Sequence, residues 1–204
     1  AYMAQTVGAG TLLSEARDLG PLSALPRLSL SDLQSDSAAT LPPPALSAPA
    51  YILFTSGSTG KPKGVQIGHK ALAAAILSWR DMLPHTPASR LLQLASPGFD
   101  VSLFEICLPL ALGFAIGSAP KELLLTDLER AFWALNITMA DLPAALASLL
   151  HPSRLPKLEW LMSGGDVIDE RVVQTWATPP QRLINAYGPT EGTIGNTLGF
   201  MEPG

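Results

Sequence analysis

From residue 51 onward the chain repeats short apolar runs of strand length, at 51–55, 91–95, 114–118, 137–140, 158–162 and 182–186. They do not alternate strictly between apolar and polar positions, which suits strands covered on both faces. Between most of them lie stretches with helical spacing. The clearest is 69–83, which sets Leu72, Ala75, Ile76, Trp79 and Leu83 on one face; 101–112, 121–135, 143–150 and 169–177 are the others. Such alternation predicts an α/β fold, a mostly parallel sheet with helices on both faces. Upstream, 1–20 reads as a short strand, a glycine turn and a helix over 11–19. The Ser-, Ala- and Pro-rich stretch 34–50 reads as an exposed connector, partly extended at the prolines 42–44. No repeat of fixed period and no heptad pattern is present.

The polar and glycine-rich segments fall directly after strands. TSGSTGKPKG follows 51–54, SPGFD follows 91–95, Asp141 follows 137–140, SGGD follows 158–162, and NAYGPTE closes the last strand. In open parallel sheets ligands bind outside the carboxyl ends of the strands, so these five segments are expected on one rim.

Composition narrows the classes. Apolar residues make up 47% and charged residues 15% of the 204, with mean hydropathy +0.26, which fits a buried sheet and a piece of a larger protein. The net charge of -4 and scattered basic residues give no nucleic-acid or anionic-membrane footprint. The single cysteine, Cys107, excludes an intrachain disulfide and sits in an apolar run as a buried, inert thiol; a reducing, cytoplasmic location is expected. The longest apolar stretch, 106–117, is broken by Pro109 and falls short of the roughly 20 residues of a spanning helix. The opening AYMAQTVGAG lacks the basic start of a signal peptide. His69, His85 and His151 share no metal-site spacing, and Trp79, Trp133, Trp160 and Trp176 read as core or helix-face packing.

Two segments hold candidate chemistry. In 55–64, Gly57, Gly60 and Gly64 permit close backbone approach to an anion, and successive N–H groups in such a turn make an anion-binding concavity. Thr55, Ser56, Ser58 and Thr59 add hydroxyl donors, and Lys61 and Lys63 add positive charge. The segment leaves an apolar strand and is expected to lead to a helix. It is not a Walker loop, because Pro62 follows Lys61. In 185–191, Tyr187 offers an aromatic face, Gly188-Pro189 turn the chain, and Glu191 is a hard oxygen donor of the kind magnesium takes beside a triphosphate. Taken alone, this second segment reads equally well as a strand-ending turn with an exposed Glu.

Together, YILFTSGSTGKPKGV and NAYGPTEGTI resemble, in sequence, order and separation, the two signatures of the adenylation domains of nonribosomal peptide synthetases. These belong to the adenylate-forming superfamily that also holds acyl-CoA ligases and luciferases. The resemblance covers residues 48–200 well and 1–47 loosely. It implies part of the large N-terminal subdomain of such a domain: a partial strand–helix region and connector over 1–47, and an α/β core over 48–204 with the phosphate loop, amino-acid pocket and adenine motif. It implies that ATP activates a carboxylate to an acyl-adenylate with release of pyrophosphate. Tyr187 is expected to stack on adenine and Asn185 to hydrogen-bond its amino group. Ala186, Gly188, Gly165 and Asp166 share the adenine pocket, Thr190 contacts the α-phosphate, and Glu191 holds magnesium (Mg2+).

The same resemblance assigns Asp100, in FDVS, to the substrate α-ammonium; its competing reading is a helix N-cap. The side-chain pocket would be lined by Val101, Phe104, Asp141, Met162, Gly164, Ala186, Ile194 and Gly195. Its small residues make it deep, and Asp141, unless it caps the helix near Pro143, suits a large polar or ornithine-like amino acid such as siderophore synthetases use. Implied partners are the amino-acid substrate, a carrier (thiolation) domain with its phosphopantetheine thiol, and a condensation domain, with no nucleic acid and no membrane. The start at Ala1 and the stop at Gly204 read as cuts, with the C-terminal subdomain and its catalytic lysine outside the chain, so the isolated chain is expected to be inactive or weakly active. An acyl- or aryl-CoA ligase and a non-catalytic module derived from the family are the alternatives.

Overall fold

The structure is a computed structural model and describes residues 1–16, 18–29, 31, 33, 42–56 and 60–203. The chain forms two compact units, Ala1–His69 and Lys70–Gly204.

In the first unit, α1 (Tyr2–Thr6) is followed by β1 (Leu12–Leu13), which pairs in parallel with β2 (Arg27–Leu28). The order expected for 1–20 is thus inverted: the helix comes first and 12–13 are strand. The cause is nonlocal on one side and local on the other. Leu12–Leu13 take their partner from beyond the next turn of the chain, while Gly8, at φ 62, ends the helix. Of the connector, 34–41 lie outside the described residues, and 42–47 are exposed. Next come β3 (Pro49–Thr55) and β4 (Lys63–Gly68), an antiparallel hairpin with Phe54 opposite Gly64 and Thr55 opposite Lys63. The expected parallel strand at 51–55 therefore belongs to a hairpin, and its glycine-rich loop leads to β4 before any helix. In β4, Val65 and Ile67 turn inward while Lys63, Gly64 and Gln66 are exposed, a period-2 pattern too short to stand out in the sequence.

The helix α2 (His69–Met82) follows, and the second unit continues with β5 (Arg90–Leu92), α3 (Val101–Leu112), β6 (Ala115–Gly117), α4 (Lys121–Thr126), α5 (Leu128–Leu135), β7 (Met139–Asp141), α6 (Ala144–Ala147), β8 (Trp160–Gly164), α7 (Glu170–Trp176), β9 (Arg182–Tyr187) and β10 (Thr197–Phe200). Among the described residues these strands make one six-stranded sheet, ordered β10-β9-β8-β7-β5-β6. Strands β5 to β9 run parallel, and β10, which periodicity did not reveal, closes the edge antiparallel to β9.

Successive residues on each strand enter different cores. Leu92, Leu161 and Leu183 pack with Phe132, Leu142 and Trp176, whereas Leu91, Trp160, Met162 and Ile184 pack with Trp79, Phe104 and Leu108. Side chains alternate across a strand, so this division shows a sheet covered on both faces. Buried Trp160 and Trp176 each donate their indole N–H to a carbonyl, of Pro84 and Ala147, at 3.0 Å; Trp133 is instead 53% exposed. The single helix expected over 121–135 is split at Asp127, whose non-helical backbone (φ -150, ψ 70) lets its carboxylate accept from the Arg130 N–H at 3.1 Å and start α5 afresh. No helix of the described residues is long and apolar enough to cross a membrane.

The strand order positions the site. From β5 the chain crosses to the edge strand β6, then returns to pair β7 on the other side of β5. The winding reverses between β5 and β7, and a crevice beyond the carboxyl ends of the strands is expected at such a switch.

Candidate functional site

One cavity opens at this crevice, and all nine residues expected to hold the substrate line it: Asp100, Val101 and Phe104 from the start of α3, Asp141 from β7, Met162 and Gly164 from β8, Ala186 from β9, and Ile194 and Gly195 from the turn before β10. Trp79, Gly165, Tyr187, Gly188 and Leu198 complete the lining. Trp79, expected from the sequence only as core packing, is buried there and also forms a wall, with the Phe104 ring meeting it edge-on at 5.1 Å and 82°. The glycines act differently. A Cβ on Gly164 would strike the Ala186 carbonyl oxygen, so the close strand spacing demands glycine. A Cβ on Gly195 would touch only Trp79, at 3.9 Å, so its smallness enlarges the cavity rather than relieving the backbone.

The two pocket carboxylates are unspent on local structure. Asp100 occupies the position before α3, yet its backbone is helical (φ -64, ψ -28) and its side chain caps nothing; the Ser102 N–H and hydroxyl both donate to the Phe99 carbonyl instead, at 3.1 and 2.7 Å. Asp141 does not cap α6, which starts after Pro143 without a side-chain cap. Neither carboxylate has a hydrogen bond or ion pair among the described residues. Burial, with the Asp100 charge adding to it, pushes Asp141 up to about 7.

Behind them lies Glu105, which periodicity and motif spacing did not single out although it is the sole charge in VSLFEICLPLAL. It is fully buried. Its carboxylate accepts from the backbone N–H groups of Leu94 and Ala95, at 3.0 and 2.9 Å, and from the Gln93 amide at 3.3 Å. Burial raises it to about 8; the Asp141 charge acts in the same direction, and the accepted hydrogen bonds oppose it. Cys107, on the same helix, is half-buried, and burial pushes its thiol up, in keeping with an inert group.

The segment expected to bind adenine forms the adjoining rim. Asn185 and Tyr187 are exposed at the end of β9, Tyr187 by 68%. The turn after it is compact: the Asn196 N–H donates to the Tyr187 carbonyl at 2.9 Å, and Thr193 and Ile194 take left-handed φ of 66 and 73. A Cβ on Gly188 would lie 2.7 Å from the Asn196 nitrogen and 2.8 Å from the Ile194 oxygen, both backbone atoms that cannot step aside. Gly188→Ala is therefore expected to lower stability by about 2 kcal/mol, the usual scale of overpacking, read as a reduced urea midpoint at unchanged m-value. Gly165, at φ 80, lines the cavity; Asp166 is exposed beside it and accepts from the Val167 N–H at 2.7 Å.

Thr190 and Glu191 sit in the short helical turn after Pro189, with Glu191 exposed. No cluster of three acidic, His or Cys groups that could hold a metal occurs among the described residues. One exposed carboxylate fits magnesium, which keeps several waters and takes its other ligands from phosphate. Of the phosphate segment, Gly57, Ser58 and Thr59 lie outside the described residues. Thr55 and Lys63 close the hairpin, and Gly60, at φ 80, and Lys61 are exposed on its loop. His85 and His151 make local contacts, to the Leu83 carbonyl and the Ser153 hydroxyl, each at 2.9 Å.

Comparison with known proteins agrees with this arrangement. The family described as AMP-binding enzyme matches residues 6–203. The chain is 62% identical over 164 residues to the ferrichrome siderophore peptide synthetase of Mycosarcoma maydis, covering 80% of this chain and 4% of that protein. Among solved structures it resembles Klebsiella oxytoca NpsA. The NpsA N-terminal subdomain in complex with 3-hydroxyanthranilyl-AMSN matches at TM-score 0.82 and 28% identity, over 98% of this chain and 53% of that one. An artificially fused adenylation–PCP di-domain, NpsA-ThdA, matches at TM-score 0.84 and 28% identity, over 98% and 42%. The Vibrio cholerae adenylation domain AlmE in complex with glycyl-adenosine-5'-phosphate matches at TM-score 0.72 and 26% identity, over 78% and 31%. The chain thus spans a small part of its synthetase relative and about half of the NpsA subdomain. With its parallel sheet and these likenesses, the chain belongs to the AMP-binding enzymes, in the branch of the nonribosomal peptide synthetase adenylation domains, of which it spans a part.

Proposed function

We propose that this chain is the substrate-binding core of an amino-acid adenylation domain, converting ATP and an amino acid to aminoacyl-AMP and pyrophosphate for loading onto a carrier-domain thiol. The supporting observation is the pair of unpaired carboxylates, Asp100 and Asp141, in a cavity whose described lining holds no cation. Asp100 is half-buried at the cavity wall with no cation beside it; a substrate α-ammonium that covers it supplies the counter-charge. The substrate carboxylate oxygen attacks the α-phosphorus of ATP, and the bond to pyrophosphate breaks. Asn185 and Tyr187 hold adenine by hydrogen bond and stacking, Thr190 orients the α-phosphate, and the hydroxyls and lysines of 55–64 neutralise and position the phosphates. Magnesium, held by Glu191, would balance phosphate charge.

In the side-chain pocket, Gly164, Ala186 and Gly195 leave depth and Asp141 accepts a hydrogen bond, which suits a large polar, ornithine-like amino acid. The high identity to a siderophore peptide synthetase supports the same choice. Carrier and condensation domains are the proposed partners, and the fusion of NpsA to a PCP domain is in keeping with the first. The test is ATP–pyrophosphate exchange by the intact adenylation domain across a panel of carboxylic acids. Exchange driven by large polar amino acids supports the proposal. Exchange confined to aryl or fatty acids assigns a CoA-ligase-like activity, and failure to bind magnesium-ATP in calorimetry assigns a non-catalytic module. Lys61 lies on the hairpin loop and Lys63 at the start of β4, and neither is assigned the role of the family's catalytic lysine. The 204-residue chain alone is accordingly expected to exchange pyrophosphate far below the rate of the intact domain; near-equal rates would refute this.

A further inference from the structure

We infer that Glu105 is a positioning residue for the amino-acid site: it holds the segment between β5 and α3 in the course that delivers Asp100 to the cavity. This role rests on the amino-acid reading above.

At the crevice the chain leaving β5 must part from the sheet. Gln93 is the last residue still bonded to it, through its N–H to the Gly117 carbonyl at 2.8 Å. The next two amides, of Leu94 and Ala95, have left the ladder in a half-buried setting, where orphaned N–H groups are costly. Glu105 takes both, and Ala95 reaches each of its carboxylate oxygens, at 3.2 and 2.9 Å. The Gln93 side chain bridges the same turn, donating to the Ala95 carbonyl at 2.8 Å and to Glu105 at 3.3 Å. A turn at Ser96–Phe99 then leads into Asp100. Glu105 itself lines no part of the cavity. From the same helix that carries Asp100, Val101 and Phe104, it grips the helix's own lead-in, so the height of Asp100 above the sheet depends on this clamp.

The experiment is pyrophosphate exchange by the intact adenylation domain with its best amino acid. Glu105→Gln keeps one oxygen for the Leu94 and Ala95 N–H groups but sets an NH2 donor against the Ala95 N–H where the second oxygen stood. The expected result is an amino-acid KM raised about tenfold, with kcat and the KM for ATP within twofold of the parent. In an Asp100→Asn background the same substitution should add little, because both act on one contact. An unchanged amino-acid KM, equal losses for ATP and amino acid, or fully multiplicative effects in the double variant would each overturn the role. If Glu105→Gln does not fold, Gln93→Leu decides by the same split, with about a threefold rise in amino-acid KM expected and none overturning the role. A parent domain that exchanges with no amino acid overturns the amino-acid reading and this role together, whereas normal parent exchange with an unaffected variant overturns the role alone.

Discussion

Asp100→Ala in the intact domain is expected to cut kcat/KM for the amino acid by a hundredfold or more while leaving magnesium-ATP affinity unchanged. The reasoning starts from geometry. Asp100 stands where a helix cap would stand, yet its backbone is already helical and its carboxylate makes no cap. It lines the cavity, half-buried and without a partner among the described residues; a substrate ammonium that covers it completes a buried pair, and removing one member of such a pair costs about 3–5 kcal/mol. At about 1.4 kcal/mol per decade, that is at least two orders of magnitude. Nucleotide affinity is spared because the residues assigned to adenine and phosphate lie on other segments. Parallel exchange and calorimetry measure both quantities. Undiminished amino-acid activation would remove the basis for the ammonium role and favour a ligase of non-amino acids. The same variant should also ease ionisation of Asp141, since the Asp100 charge helps to hold it up.

The second large effect is on stability against pH. Asp141 rises from 3.8 to about 7 and Glu105 from 4.5 to about 8, burial being the main cause in each. Both folded-state values lie above the unfolded ones, so between about pH 4 and pH 8 the folded chain binds more protons than the unfolded chain. Unfolding free energy then falls as pH rises through that window, and levels off above it. A tenfold change in the acidity of one group corresponds to about 1.4 kcal/mol; with the two groups coupled, the combined loss from pH 5 to pH 9 is expected to be on the order of 4 kcal/mol. Urea unfolding of the chain at both pH values measures it. Asp141→Asn should remove part of the slope, and a stability that rises between pH 5 and pH 9 would contradict the burial of these carboxylates. An ammonium bound at Asp100 offsets the charge that helps to hold Asp141 up, so amino-acid affinity should strengthen as pH rises toward about 7.

Much of the second unit was legible in the residues. Helix α3 matches the stretch 101–112, and the strands at 115–117, 139–141, 160–164 and 182–187 fall on or beside the apolar runs. These elements follow from periodicity and from caps such as Asp169, whose carboxylate accepts from the Arg171 N–H at 2.7 Å. Four of the five expected rim segments were legible for a related reason, since a glycine- or polar-rich segment after a buried strand has to lie at a strand end; the fifth, 55–64, is the loop of the β3–β4 hairpin and not on the six-stranded sheet. The pocket lining, carried by resemblance, came together residue for residue in one cavity.

Other features depended on partners far along the chain. Leu12–Leu13 became strand through Arg27–Leu28, and 51–55 became half of a hairpin through 63–68. An apolar run specifies that a strand is buried, not which strand lies beside it or in which direction. Nor could sequence separate Asp100 and Asp141 as open carboxylates from the same residues as helix caps, since that turns on backbone angles and on whether an N–H lies within reach. Glu105 was hidden for the opposite reason, as its role exists only where β5 parts from the sheet. By itself, then, the sequence determined the α/β class, the four rim segments of the second unit and the family, because each rests on local spacing and residue chemistry. Tertiary structure alone decided the hairpin, the reversal of winding at the crevice, and which carboxylates are free for a ligand, because strand pairing and desolvation are set by residues remote in the chain.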